Sequence, residues 1–292
     1  MSPEDVIEVT KKAKVAGCSE ALLTLGERPD VHAEAREKLD ALGYENMVDY
    51  IEDLCRQVLE LGMLPHTNAG LLSERELRHL RRYNASMGLM LECAEDLPVH
   101  QNSPGKDPLR RLEVIEKAGK LRIPFTTGLL IGIGERFEDR VQSLLAIRKL
   151  HKRYDHIQEV IIQPFDPKPG TPMESYPRPS ESELFATVAV ARSIMPDMSI
   201  QVPPNLVSNV SPLLLAGAND LGGISPVTPD FINPEQPWPS VAELRAAIKR
   251  AGFMPRERLP IYPRYVKDER FMSKEVRGHV HELADEEGYR AC

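Results

Sequence analysis

Phe125-Thr126-Thr127-Gly128-Leu129-Leu130-Ile131-Gly132-Ile133-Gly134-Glu135 is the stretch that decides the fold. Its first seven residues form an apolar run with Thr, too short for a helix, and the glycines after Ile131 break it. From Phe137 to Arg153 the apolar spacing turns helical, so the stretch reads as strand, tight turn, helix. Gly132-x-Gly134 sits where a dinucleotide loop would, but the third glycine of GxGxxG falls at Phe137 and no acidic ribose ligand follows in a convincing place. A glycine ribbon against which a flat adenine can lie remains open beside a plain tight turn.

The same unit repeats outward in both directions. Further strands are expected at Ala21–Leu25, Leu64–Thr67, Met87–Glu92, Glu159–Pro164 and Ser199–Val202. Helices are expected at Pro3–Gly17, Asn46–Leu61, Ser73–Asn84, Asp107–Lys120, Ser180–Met195 and Ser240–Ala251. Strand and helix alternate, and parallel strands need crossovers, so the class is α/β. Repeated right-handed crossovers close a barrel or build an open covered sheet, and the pattern alone leaves both open. The reading takes one domain over 1–265 and a charged tail over 266–292, with ordered Pro- and Gly-rich loops from Pro203 to Pro239.

In either architecture chemistry gathers where strands end. Gly26 and Glu27 follow the first strand, where a glycine admits a ligand to the backbone and a carboxylate accepts from an ammonium; an ordinary turn is the plainer alternative. Glu92 ends a strand and Arg111 opens the next helix, a pair that can bond internally or grip an amino acid's ammonium and carboxylate. His66 reads as a packed imidazole, and Cys55 lies on the apolar stripe of its helix.

Lys and Arg number 37 against 44 Asp and Glu, a net charge of −7 without long blocks, which offers nucleic acid no basic footprint. No apolar run approaches the roughly 20 residues that cross a bilayer, and the start is acidic, so the expected location is cytoplasmic. Cys18, Cys55, Cys93 and Cys292 are too scattered for a zinc site or a CxxC pair. No nucleophile elbow, HExxH helix or phosphate loop is present, which sets aside the common hydrolases, zinc proteases and triphosphatases. An aldolase-type barrel would need a Schiff-base lysine at a strand end, and none stands there.

Several long motifs, in order, carry a resemblance: Thr24-Leu25-Gly26-Glu27-Arg28-Pro29, Leu64-Pro65-His66-Thr67-Asn68-Ala69-Gly70, Gly128 to Glu135, Gln163-Pro164-Phe165, Gly217 to Gly223 and Ser225-Pro226-Val227-Thr228. Together they resemble the radical S-adenosylmethionine (SAM) superfamily and, within it, the subunit 1 branch of FO synthases, over about Ser2 to Tyr265. The resemblance implies a partial (βα)6 TIM-like barrel with SAM across the strand ends and a 4Fe-4S cluster. It implies a lyase that closes the deazaflavin ring of FO from an adduct of a hydroxybenzyl group with ribitylamino-uracil, losing ammonia. Gly26, Glu27, Glu92, Arg111, Gly132 and Glu135 are the implied SAM contacts, and Asn205, Asn219, Asp220 and Thr228 the implied contacts to uracil and ribityl groups. FO synthase subunit 2 and a reductant are the implied partners, with no nucleic acid and no membrane.

One departure matters. The family holds its cluster through CxxxCxxC after the first barrel strand, and no such spacing occurs in these 292 residues. The expectation is that the first strand and cluster loop lie before Met1, that this chain supplies no metal ligand, and that alone it is inactive. The competing readings are a partner subunit or menaquinone-pathway relative with similar motifs, and a cluster-free, non-catalytic barrel fragment.

Overall fold

The helices begin where the chain can satisfy their first amides. Ser2, Ser73, Ser180 and Ser240 each accept from the amide three residues on, where an acidic side chain reaches back to close a capping box. Asn46 caps its helix by accepting from Val48 and Asp49.

The computed structural model of the chain describes residues 1–291. In chain order its elements are α1 (Pro3–Val15), β1 (Glu20–Thr24), α2 (Ala33–Leu42), α3 (Met47–Glu60), β2 (Leu64–Asn68), α4 (Glu74–Leu80), β3 (Ser86–Gly88), α5 (Pro108–Lys120), β4 (Phe125–Ile131), α6 (Phe137–Tyr154), β5 (Ile157–Pro164), α7 (Glu181–Ile194), β6 (Ser199–Gln201), α8 (Ser211–Ala216), α9 (Val241–Arg250), α10 (Pro263–Val266) and α11 (Lys274–Leu283). The strands form one six-stranded sheet in the order β1-β2-β3-β4-β5-β6. Parallel pairing runs from Glu20 on Leu64 to Thr24 on Asn68, His66 lies on Ser86, and Glu159 lies on Ser199. Each such step needs a return across the sheet, which the intervening helices supply.

The chain divides into two compact units, the first comprising Met1–Leu89, Glu113–Phe125 and the chain from Arg256 on. Here α3 buries Val48, Ile51, Leu54, Cys55, Val58 and Leu59, the stripe its spacing predicts. A second cluster joins Leu59, Leu64 and Ala85 to Leu259, Ile261, Tyr265, Phe271, Val276 and Val280. The segment expected as a charged tail is therefore packed structure. Ser273 caps α11, and Val276 and Val280, one turn apart, are both 0% exposed. Its dense charges mask this two-residue stripe in the sequence.

The second unit comprises Met90–Leu112 and Thr126–Pro255. Gly128 is required by close approach: a Cβ there would lie 2.2 Å from the carbonyl oxygen of Ile161 on β5. The outer edge of β6 is covered by its own chain. Asn219 and Asp220 donate their amides to the Ile200 carbonyl at 3.0 and 3.2 Å, and Val202 donates to that of Asp220 at 3.1 Å. Val210, Leu214 and Leu244 seal α8 and α9 together.

The strand expected from Met87 to Glu92 is shorter than its pattern. Regular pairing stops at Gly88, and Glu92 rejoins as an isolated bridge to Leu129, at φ 67. A left-handed residue cannot continue a pleated ladder. The helix expected from Ser73 to Asn84 likewise ends at Leu80. Helices α2 and α8, which periodicity did not reveal, occupy loops of the sequence reading.

Candidate functional site

At the end of β1, Leu25 donates its amide to the Asn68 carbonyl at 3.0 Å, tying that end to β2. Gly26 has open space on its side-chain face, and Glu27 is exposed, with Oε1 accepting the Leu71 amide at 2.9 Å. Arg28, at φ 43, turns the chain and bonds Glu76 at 2.6 Å and the buried Asp30 at 3.3 Å. The Gly-Glu step is thus braced on both sides while Glu27 keeps its carboxylate at the surface.

His66 on β2 is buried, and its Nδ1 lies 2.6 Å from Ser86 Oγ. Ser86 spends its proton on the Pro260 carbonyl, so the imidazole donates through Nδ1–H. Burial pushes the His66 pKa down to about 4, so this imidazole is neutral and packed, as the sequence reading has it.

The second unit contains a buried charged constellation around Glu92. Glu92 is 7% exposed. Its Oε1 accepts from the Lys106 ammonium and lies 3.5 Å from Arg111 Nη1, while Oε2 lies 3.3 Å from His100 Nε2. Burial pushes the Glu92 carboxyl up, but His100, Lys106 and Arg111 together outweigh it and hold it at about 2. Arg111 is itself fixed: Nε donates to the Gly105 carbonyl at 2.7 Å and Nη1 to that of Met90. Sequence reasoning found Glu92 and Arg111 but missed His100 and Lys106. The signal available was a polar segment, Pro98 to Asp107, which must lead from a strand end back to the helix carrying Arg111.

Glu135 lies beneath the glycine ribbon after β4. Oε1 accepts the Gly132 amide at 2.8 Å and Arg140 Nε at 2.7 Å, and Oε2 accepts the Ile133 amide at 2.8 Å. Its carboxylate is therefore committed to shaping the turn. Gly132 needs its φ of +93, since a Cβ would also meet Pro179 at 2.8 Å, whereas Gly134 faces open space. Glu135 thus fixes the shape of the ribbon.

The four residues implied for uracil and ribityl contact are all engaged by other residues of the second unit. Asn219 Oδ1 accepts the Ile200 amide at 2.8 Å and Arg192 Nη2 at 2.9 Å. Asp220 Oδ1 accepts the Gly222 amide at 2.6 Å, and Thr228 Oγ1 donates to Ser225 Oγ at 2.8 Å. Asn205 Nδ2 donates to Asp230 at 2.9 Å, but its Oδ1 is buried without a hydrogen-bond partner among the described residues. A cavity of about 220 Å³ opens beside the end of β5, lined by Phe165, Asp166, Arg178, Leu206 and Asn209 among others, and none of the ten implied ligand contacts lines it.

A parallel α/β chain whose strand ends carry a Gly-Glu turn, a buried carboxylate–arginine pair and a glycine ribbon defines a class, and a family model agrees. The radical SAM superfamily model matches residues 1–147, half of the chain. Solved structures agree in fold: the FeFe-hydrogenase maturase HydG from Carboxydothermus hydrogenoformans superposes with a TM-score of 0.67 at 18% identity, covering 99% of this chain and 68% of that one. Methylornithine synthase gives 0.62 at 20% identity, covering 87% and 74%. The fold class is α/β, the partial (βα)6 barrel of radical SAM enzymes. Closer relatives are named 7,8-didemethyl-8-hydroxy-5-deazariboflavin synthase. That of Methanopyrus kandleri is 52% identical over 99% of this chain and 89% of its own length, and that of Archaeoglobus fulgidus is also 52% identical with the same coverage. The chain belongs to this family of radical SAM enzymes.

Membership brings two cofactors, SAM and a 4Fe-4S cluster, and the residues fit them differently. The Glu92 carboxylate, with the Lys106 ammonium on one oxygen and the backbone-braced Arg111 beside it, makes a set complementary to a zwitterionic amino acid. For the cluster there is no fit. Among the described residues no group of three or more His, Cys, Asp or Glu can hold a metal. Cys55 and Cys93 are buried, with burial pushing the Cys55 thiol up to about 12, and Cys18 stands apart. Cys292 lies outside the described residues. Among the described residues no helix is long and apolar enough to cross a membrane.

Proposed function

We propose that this chain is the catalytic body of the lyase that forms 7,8-didemethyl-8-hydroxy-5-deazariboflavin from 5-amino-5-(4-hydroxybenzyl)-6-(D-ribitylimino)-5,6-dihydrouracil, in the cytoplasm. The supporting observation is identity at half of all positions, across nearly the whole chain, with enzymes named for that product. The adduct is taken from subunit 2 of the same synthase system, and the thiolates of the cluster come from outside these 292 residues.

SAM, when bound, supplies the hydrogen-abstracting chemistry; the residues here bind and orient. Glu92 accepts the ligand's ammonium, and Arg111, braced by two carbonyls, faces its carboxylate. Glu27 presents a carboxylate acceptor at the surface of its own unit. The Gly132–Gly134 backbone lies against adenine, with Glu135 acting through the turn it clasps. Asn205 Oδ1, a buried acceptor without a partner among the described residues, receives a uracil N–H or a ribityl hydroxyl, and Asn219, Asp220 and Thr228 shape the loops around the substrate.

The test is an anaerobic preparation of the protein bearing its cluster, supplied with the adduct, SAM and dithionite. Deazaflavin fluorescence should develop, and Glu92→Gln should reduce the rate at least about 100-fold, the scale of a lost positioning contact. A cluster-loaded enzyme that consumes SAM yet makes no deazaflavin would overturn the substrate assignment in favour of a menaquinone-type relative.

A further inference from the structure

The carboxylate that should receive an incoming ammonium already holds one. Both Glu92 oxygens are engaged, Oε1 by Lys106 and Oε2 by His100, and both partners come from a single segment, Pro98 to Lys106, made of two short 3-10 turns. Arg111 differs in kind, being 4% exposed and pinned by two backbone carbonyls. Lys106 is 37% exposed along its side chain, and Glu92 is the sole partner of its ammonium among the described residues. Its flexible stem can therefore leave, where the arginine cannot. A buried carboxylate stripped of partners is costly, so a movable cation keeps Glu92 neutralised until another ammonium takes its place.

We propose that Lys106 is an internal stand-in for the ligand's α-ammonium, so that the Pro98–Asp107 segment is a strap closed over Glu92 and released when an amino-acid ammonium displaces Lys106. The proposal rests on the reading of Glu92 as the ammonium acceptor. Exchange of one primary ammonium for another leaves the charge balance at Glu92 unchanged, so release costs the carboxylate little. The strap instead lowers the apparent affinity in proportion to the closed population. An adenosine thioether without an amino-acid end does not compete for Glu92, so its binding is independent of the strap.

Two measurements on the full chain test this. In hydrogen exchange without ligand, Lys106→Met should speed the amides from Gln101 to Lys106 about tenfold, and Lys106→Arg should leave them near wild type. Unchanged exchange in Lys106→Met would remove the strap. In wild type, saturating SAM should speed the same amides, and slower exchange would mean that Lys106 stays. By calorimetry, Lys106→Met should bind SAM and S-adenosylhomocysteine about fivefold more tightly while 5′-methylthioadenosine binds unchanged. Equal or weaker SAM binding by the variant refutes displacement. Wild type that binds no SAM at millimolar concentration refutes the role of Glu92 instead, and the ligand-free exchange result still decides whether the strap exists.

Discussion

A carboxylate as buried as Glu92 is stable only through what surrounds it. Burial raises its pKa, His100, Lys106 and Arg111 lower it further, and the result of about 2 lies below the ordinary 4.5. The folded state thus holds its proton less tightly than the unfolded state. The stabilisation is fully present above about pH 4.5 and is lost as pH falls toward 2, on the order of 3 kcal/mol as an upper bound. Wild type should show urea midpoints that drop steeply across that window, and Glu92→Gln should flatten this limb while lowering stability at pH 7. An unchanged acid limb in the variant would contradict the assignment. Glu92 and Arg111 were legible as residues because each stands at an element boundary. His100 and Lys106 were not, since a loop's return path has no periodicity.

Among the elements, β4 and its ribbon show how backbone spacing constrains sequence. Gly128 faces the Ile161 carbonyl with no room for a methyl group, and the obstacle is backbone, which cannot swing aside. Gly128→Ala should destabilise by about 3 kcal/mol and lower Tm, with β4–β5 amides losing most exchange protection. A variant of wild-type stability would mean that the strands can part without cost. The ends of β4 match the pattern because an apolar run flanked by glycine leaves one local solution. The early end of β3 at Gly88 does not, and past it Glu92, at φ 67, places its carboxylate among three partners that arrive from later in the chain.

For the molecule as a whole, the C-terminal segment is decisive for the first unit. Leu259, Ile261, Phe271, Val276 and Val280 complete a cluster begun by Leu59, Leu64 and Ala85. Val280→Asp would place an unpaired charge where exposure is 0%. It should cost at least about 3 kcal/mol and expose apolar surface to a hydrophobic dye. Normal cooperative unfolding in that variant would return the segment to the status of a tail. What the sequence determined unaided is the strand–helix alternation, the helix starts at Ser73, Ser180 and Ser240, and the positions of the Gly-Glu step, Glu92, Arg111 and the glycine ribbon, because each is marked by residues close in sequence or by an element boundary. The tertiary structure alone decided that Glu135 clasps its own turn, that Lys106 sits on Glu92, and that a charged C-terminal segment is core. Those facts depend on groups the chain brings together only after it has folded, and no local period records them.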